Sequence, residues 1–302
     1  VPPVEVPPAL VAAQVRYHGE DGRAWTAALP RLAARYLARW SLRLDGAPRS
    51  GHVALVLPVR RADDTRAVLK LQRVDDETAG EPVALRAWAG QGAVRLLADD
   101  PGTGTMLLER LDDSRSLDGV PEDLAALRIL SELLARLAKV PAPPGIRRLA
   151  DLTANLLRRV PPVVDRLAGA DDRRLVRASA AAVAEVAPEP GDRLLHWDLH
   201  YQNVLAGDRE PWLAIDPKPL AGDPGFELFP ALWNRWDDVT ATGDVTRAVH
   251  RRFDLMTEVL GLDRPRAAAW TQARVLENLC WDVERGSTTV DQILAAIARA
   301  LG

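Results

Sequence analysis

The sequence predicts an α+β chain in two parts, a sheet-forming part over residues 1–111 and a larger, mainly helical part over 112–302. Two observations carry this. Short apolar runs separated by Asp, Gly and Pro clusters fill residues 53–111, and beyond Pro121 the apolar spacing changes to three- and four-residue steps. With 302 residues, the chain is long enough to build a separate core in each part.

In the first part, residues 53–59, 66–72, 93–97 and 105–111 read as strands of a meandering antiparallel sheet, each a Val- and Leu-rich run bounded by turn-forming residues. One helix is expected between the second and third strands, over 81–89, and the last strand runs into a polar stretch over 112–118. In the second part Leu124, Leu127, Leu130, Leu134 and Leu137 line one helical face, with Pro121 ahead of the helix and Pro141 beyond it. Further helices are expected over 151–160, 172–187, 244–260, 265–284 and 289–301. Asp263 and Pro265 supply a cap and a first-turn proline for the fourth of these. A single β segment, 194–215, interrupts the helices.

Composition narrows the function classes. The balance of 39 Lys and Arg against 42 Asp and Glu gives a net charge of -3 and a pI near 6.0, with no general electrostatic reason to bind nucleic acid. The single cysteine, Cys280, rules out an intrachain disulfide or a cysteine metal site and fits a reducing cytoplasm. The first residues lack a basic stretch followed by an apolar core, and no later run approaches the roughly 18 apolar residues of a membrane span. A soluble cytoplasmic protein without a membrane partner is expected. Of the basic residues only Lys70, Lys139 and Lys218 are lysine, so each lysine asks for a reason.

The chemistry is concentrated in the β segment. His196-Trp197-Asp198-Leu199-His200-Tyr201-Gln202-Asn203 is followed by the apolar run Trp212-Leu213-Ala214-Ile215 and then Asp216. An Asp with an Asn five positions on, and a second Asp closing an apolar run, is the arrangement that places one base and two magnesium ligands around ATP. Asp198 is the candidate base, and Asn203 and Asp216 offer the hard oxygen ligands that Mg2+ prefers. Either Asx residue alone reads as a turn stabiliser; the full set at this spacing reads as a phosphotransferase site. His196 and His200, four apart, admit a zinc reading that the oxygen-rich neighbours disfavour.

Lys70 lies on a strand whose alternation places it with Val68 and Gln72, opposite Ala67, Leu69 and Leu71. An ammonium on an apolar strand needs an anion. The functional reading is a lysine on the α- and β-phosphates, oriented by a glutamate of the next helix, Glu81 first and Glu77 second. Ser50 and Gly51, within Arg49-Ser50-Gly51-His52, stand where either a phosphate-covering turn or a plain β-turn fits. Met106-Leu107-Leu108-Glu109-Arg110 is either a hinge strand whose backbone meets adenine or an ordinary core strand.

Together these residues resemble the aminoglycoside phosphotransferase family. Gly22-Arg23-Ala24-Trp25, residues 106–111, Pro141-Ala142-Pro143-Pro144-Gly145 and the run from Glu210 to Pro217 are similar, within that family, to the actinomycete streptomycin 6-kinase group, over nearly the whole chain. The resemblance implies a bilobal protein-kinase-like fold, with a nucleotide-binding lobe over 1–111 and a catalytic and acceptor-binding lobe over 112–302. It further implies ATP and Mg2+ as cofactors and transfer of phosphate to a hydroxyl of a cationic acceptor, streptomycin at its 6-position, with antibiotic resistance as the outcome. Alternatives are a same-fold kinase for hydroxyurea or another metabolite, and a non-catalytic nucleotide-binding protein. The late acidic run Glu277, Asp282, Glu284 is either the acceptor pocket or a solvated helix face. Three departures from the protein-kinase pattern stand out: Trp197 beside the base instead of arginine, Pro217-Lys218 after Asp216 instead of Phe-Gly, and a phosphate turn without the full glycine signature.

Overall fold

Alternating Val, Leu and Ala in residues 54–72 build the centre of the first sheet, and the elements around it follow from how that sheet is covered. The computed structural model describes residues 4–51 and 53–302; Val1-Pro2-Pro3, and His52 of the expected phosphate turn, lie outside the described residues. The chain divides into two compact units, Val1–Asp112 and Asp113–Gly302.

The first unit begins with α1 (Pro8–Arg39), which no apolar periodicity in the sequence announces. It is two helical stretches broken at Gly19 (φ 58°, ψ -132°). A Cβ on Gly22 would lie 2.1 Å from the Gln14 carbonyl oxygen, so the fold-back needs glycine there. These glycines and Pro30 interrupt the apolar periodicity, which is why the helix was not legible. There follow β1 (Arg43–Leu44), β2 (Arg49–Ser50), β3 (Ala54–Arg60), β4 (Arg66–Gln72), α2 (Glu81–Trp88), β5 (Leu96–Asp100) and β6 (Thr105–Glu109). The sheet is antiparallel in the order β1-β3-β4-β6-β5, with β2 also on β3. Leu55, Leu57, Val59, Leu69, Leu71 and Leu107 pack on Leu10, Leu29, Ala33 and Tyr36 of α1 in one core. The third expected strand sits three residues later than 93–97, because Ala93 makes only a single bridge and Val94 and Arg95 lie outside the ladder.

At the division lies β7 (Asp112–Ser116), in the stretch expected as polar, and the second unit continues with α3 (Asp123–Leu137), β8 (Arg147–Arg148), α4 (Leu149–Arg166) and α5 (Ala170–Val186). Next come β9 (Arg193–Leu195), β10 (Val204–Ala206), β11 (Leu213–Ala214), β12 (Leu220–Gly222), α6 (Phe229–Trp233), α7 (Trp236–Thr240), α8 (Val245–Leu260), α9 (Arg264–Glu284) and α10 (Gln292–Leu301). The α4 helix continues through Pro161 and Pro162, past the expected end at 160, because Val160, Val163 and Val164 stay buried on one face. The Asp263 carboxylate accepts from the Arg266 N–H at the start of α9, with Pro265 in the first turn, as the sequence indicated. Arg252 of α8, 1% exposed, is satisfied by both Asp123 oxygens and by the carbonyls of Asn234 and Arg235, which ties α8 to α3 and to the α6–α7 segment. Two small sheets, β11-β10-β7 and β8-β12-β9, carry the loops that hold the motif.

Candidate active site

Short strands with fixed registers set the positions of the motif. β9 pairs antiparallel with β12, and β10 with β11, so residues 196–203 and 215–219 are adjacent loops leaving ordered ladders. Three hydrogen bonds join the loops: Ile215 N–H to Asn203 O (2.9 Å), Lys218 N–H to His196 O (3.0 Å) and His196 Nε2 to Ile215 O (2.9 Å). The other histidine nitrogen, Nδ1, accepts from the Asp198 N–H at 3.3 Å. Together these bonds fit a neutral ring with its proton on Nε2, and burial pushes His196 down to about 4. With both nitrogens engaged, His196 is a strut and not a metal ligand. Among the described residues no group of three or more His, Cys, Asp or Glu could hold a metal.

Asp198 is fixed from two sides. Its N–H is held by His196, and its carbonyl accepts from Asn203 Nδ2 at 2.9 Å. That second bond turns the Asn203 amide so that its oxygen is the atom left to act as a ligand. Asp216 is held with φ at +59°, a left-handed backbone costly for a residue with a Cβ and favoured least poorly by Asp and Asn. Lys218 places Nζ 3.1 Å from Asp198 Oδ2.

Trp197, at φ +66°, directs its N–H to Glu227 Oε1 at 2.7 Å. Two guanidinium groups stand over its ring, Arg147 at 4.5 Å and Arg274 at 5.1 Å from the centroid. Glu227 is 2% exposed, and burial pushes its carboxyl up to about 8 against the pull of the Trp197 N–H.

In the first unit Lys70, paired with Val56 and Met106 across the sheet, reaches Glu81 Oε1 and Oε2 at 2.7 and 2.8 Å. Gln72 Nε2 donates to Glu81 Oε2 at 2.7 Å. Glu81, at the start of α2, thus pairs with Lys70; Glu77 lies in the preceding turn, its N–H bound to Asp75 Oδ1. Ser50 and Gly51 stand exposed at the tip of the β2–β3 hairpin, closed by the Gly51 N–H to Ala54 O at 3.1 Å. Glu109 ends β6 with its carboxylate accepting from the Arg95 N–H.

A family model described as aminoglycoside/hydroxyurea antibiotic resistance kinase matches residues 39–286. The chain belongs to this family. It is 58% identical over 298 residues to a streptomycin 6-kinase of Streptomyces glaucescens, covering 99% of this chain and 97% of the relative. It is 56% identical over 300 residues to a hydroxyurea phosphotransferase of Kitasatospora aureofaciens, covering 99% of this chain and 86% of the relative. The fold matches a thermostable mutant of aminoglycoside phosphotransferase APH(4)-Ia in ternary complex with AMP-PNP and hygromycin B. That match has a TM-score of 0.61 at 16% identity and covers 88% of this chain and 97% of that one.

Within this kinase family member, the late acidic residues divide. Glu277 is paired with Arg274 at 2.6 Å, and Glu284 takes two bonds from Arg159 at 2.8 Å. Asp282 has its carboxyl raised, chiefly by burial and then by Asp291. Sequence reasoning missed Glu227 and the Asp198 partnership of Lys218. The signals were present: an acid inside the apolar run Gly225-Phe226-Glu227-Leu228-Phe229, and a scarce lysine between Pro217 and Pro219.

Proposed function

We propose that the chain is an ATP-dependent kinase that phosphorylates a hydroxyl of streptomycin, at its 6-position, and so inactivates the drug. The observation that carries the reading is the Asp198–Asn203–Asp216 constellation, in which a carboxylate, an amide oxygen and a second carboxylate are held by backbone bonds in two joined loops. Family membership and the streptomycin 6-kinase relative support the acceptor.

Asp198 orients the acceptor hydroxyl and takes its proton as the oxygen bonds to the γ-phosphorus. The bond from that phosphorus to the β–γ bridging oxygen breaks, and its electron pair leaves with ADP. Lys70, held by Glu81, binds the α- and β-phosphates. Asn203 Oδ1 and the Asp216 carboxylate are the donors for Mg2+, an ion that takes few protein oxygens alongside phosphate and water, and their hard-oxygen chemistry fits it. Bound there, the ion supplies charge neutralisation to the phosphate oxygens. Glu109 and the Ser50–Gly51 tip are assigned to the nucleotide, and Glu277, Asp282 and Glu284 to the cationic acceptor. Of the last three, Asp282 is the one without an arginine partner in hydrogen-bond contact among the described residues. The protein works in the cytoplasm, where ATP is available.

The second reading, phosphorylation of hydroxyurea, is favoured by the similar identity to the Kitasatospora relative. ADP release with Mg-ATP and each acceptor in turn separates the two, with Asp198→Asn as control. Streptomycin-dependent turnover that the control loses supports the proposal. Turnover with hydroxyurea alone replaces the acceptor, and an Asp198→Asn enzyme of full activity removes the base.

A further inference from the structure

We propose that Lys218 is a positioning residue of the transfer step, a charge clamp that holds the Asp198 carboxylate in the orientation from which it takes the acceptor proton. The inference rests on the reading of Asp198 as base.

Four observations converge on it. Lys218 Nζ stands 3.1 Å from Asp198 Oδ2. No other described residue hydrogen-bonds that carboxylate, so the backbone fixes where the side chain begins and Lys218 fixes where it points. The Lys218 backbone is itself immobilised. It lies between Pro217 and Pro219, its N–H is bound to His196 O, and a residue preceding proline is confined to extended conformations. Lastly, this chain uses arginine almost everywhere and retains three lysines, one of them at this contact. An ammonium is a compact point charge, whereas a guanidinium presents a planar fork that grips both carboxylate oxygens. Lysine on Oδ2 leaves Oδ1 for the acceptor hydroxyl; arginine would cover both. Side-chain exposures of 32% for Lys218 and 25% for Asp198 leave room for an acceptor to approach.

The test is a double-mutant cycle on the full-length enzyme with Mg-ATP and the acceptor it uses: Lys218→Ala, Asp198→Asn and the double variant, each checked for an unchanged melting temperature. Loss of one charge-assisted contact predicts a fall in kcat of roughly 10- to 100-fold for Lys218→Ala, with KM for ATP and acceptor little changed. Added ethylammonium, which can enter the space left by the lysine stem, restores part of that kcat. The double variant is no slower than Asp198→Asn, because Lys218 acts through a carboxylate already removed. Lys218→Arg recovers less activity than the amine does. Lys218→Met keeps the stem and serves the same comparison should Ala lower the melting temperature. The proposal is overturned by wild-type kcat in Lys218→Ala, by a loss confined to KM for ATP, by losses that multiply in the double variant, or by a kcat loss that no amine restores. Full activity in Asp198→Asn overturns instead the reading of the base, so the two failures are distinct.

Discussion

The Lys70–Glu81 pair offers a perturbation in which function and stability part company. Both side chains are buried, at 6% and 1% exposure, and the ammonium meets both carboxylate oxygens within 2.8 Å. At 2.7 Å and an effective dielectric of 20, their attraction is about 6 kcal/mol, and desolvation of the two ions offsets most of it. Removing one partner leaves the desolvation without the attraction. Lys70→Met or Glu81→Leu alone therefore destabilises the first unit by about 3–5 kcal/mol. Gln72, which donates to Glu81 Oε2, softens the loss for Lys70→Met by about 1 kcal/mol. The double variant Lys70→Met/Glu81→Leu removes both charges and recovers most of that loss, since apolar replacement of a buried pair is often neutral or better, and stays about 1–3 kcal/mol below the parent because the buried Gln72 amide loses its acceptor. Urea unfolding followed by tryptophan fluorescence reads the stabilities, and ADP release reads the activity. Activity stays lost in all three if Lys70 serves the phosphates. A double variant as unstable as the worse single, or one that turns over like the parent, would refute the reasoning.

Other predictions use the second unit. Asp198→Ala lowers turnover by roughly 10²- to 10⁴-fold in the ADP-release assay with the fold intact by circular dichroism. Asn203→Ala raises the Mg2+ concentration needed for half-maximal rate, and Asp216→Asn, which keeps a side chain tolerant of φ +59°, raises it without lowering the melting temperature. Glu227 has a folded value near 8 against 4.5, so it holds its proton more tightly when folded, and its contribution is full at low pH and lost as pH rises toward 8. His196, depressed to about 4 from 6.5, contributes fully above 6.5 and loses it as pH falls toward 4. The two slopes oppose one another between pH 4.5 and 6.5, and Glu227 alone acts from 6.5 to 8, where Glu227→Gln flattens the fall in a melting-temperature scan.

The parts of the molecule legible in the sequence were those where one local rule acts alone. Period-two alternation located β3, β4 and β6, and the Asp263–Pro265 start of α9 followed from capping chemistry. Elements stabilised by tertiary contact escaped. The α1 helix is broken by Gly19 and carries Pro30, yet it forms because Leu29, Ala33 and Tyr36 fill the floor of the first sheet. The α4 helix runs past two prolines for a similar reason. At the site, Asp198, Asn203 and Asp216, proposed from their order along the chain, lie in two loops joined by backbone bonds. Glu227 is thirty positions from the Trp197 N–H that it accepts, and no local pattern announces such a bond. Lys218 falls between these cases: its scarcity was visible in composition, but its partner was not.

The departures from the protein-kinase pattern acquire a common physical meaning from this loop geometry. Trp197 and Asp216 both hold positive φ without being glycine, and such residues cost about 1–3 kcal/mol each unless their surroundings impose the conformation. Here the surroundings do so. The Trp197 N–H is taken by Glu227, its ring by Arg147 and Arg274, and the Asp216 turn is joined to the catalytic loop on both sides by Ile215 and Lys218. Trp197 stands where the protein-kinase pattern has arginine, and Pro217 fixes the backbone φ directly after Asp216. Strain and rigidity are therefore one arrangement, in which the bonds that impose the left-handed residues also fix the Asn203 amide and the Asp198 backbone.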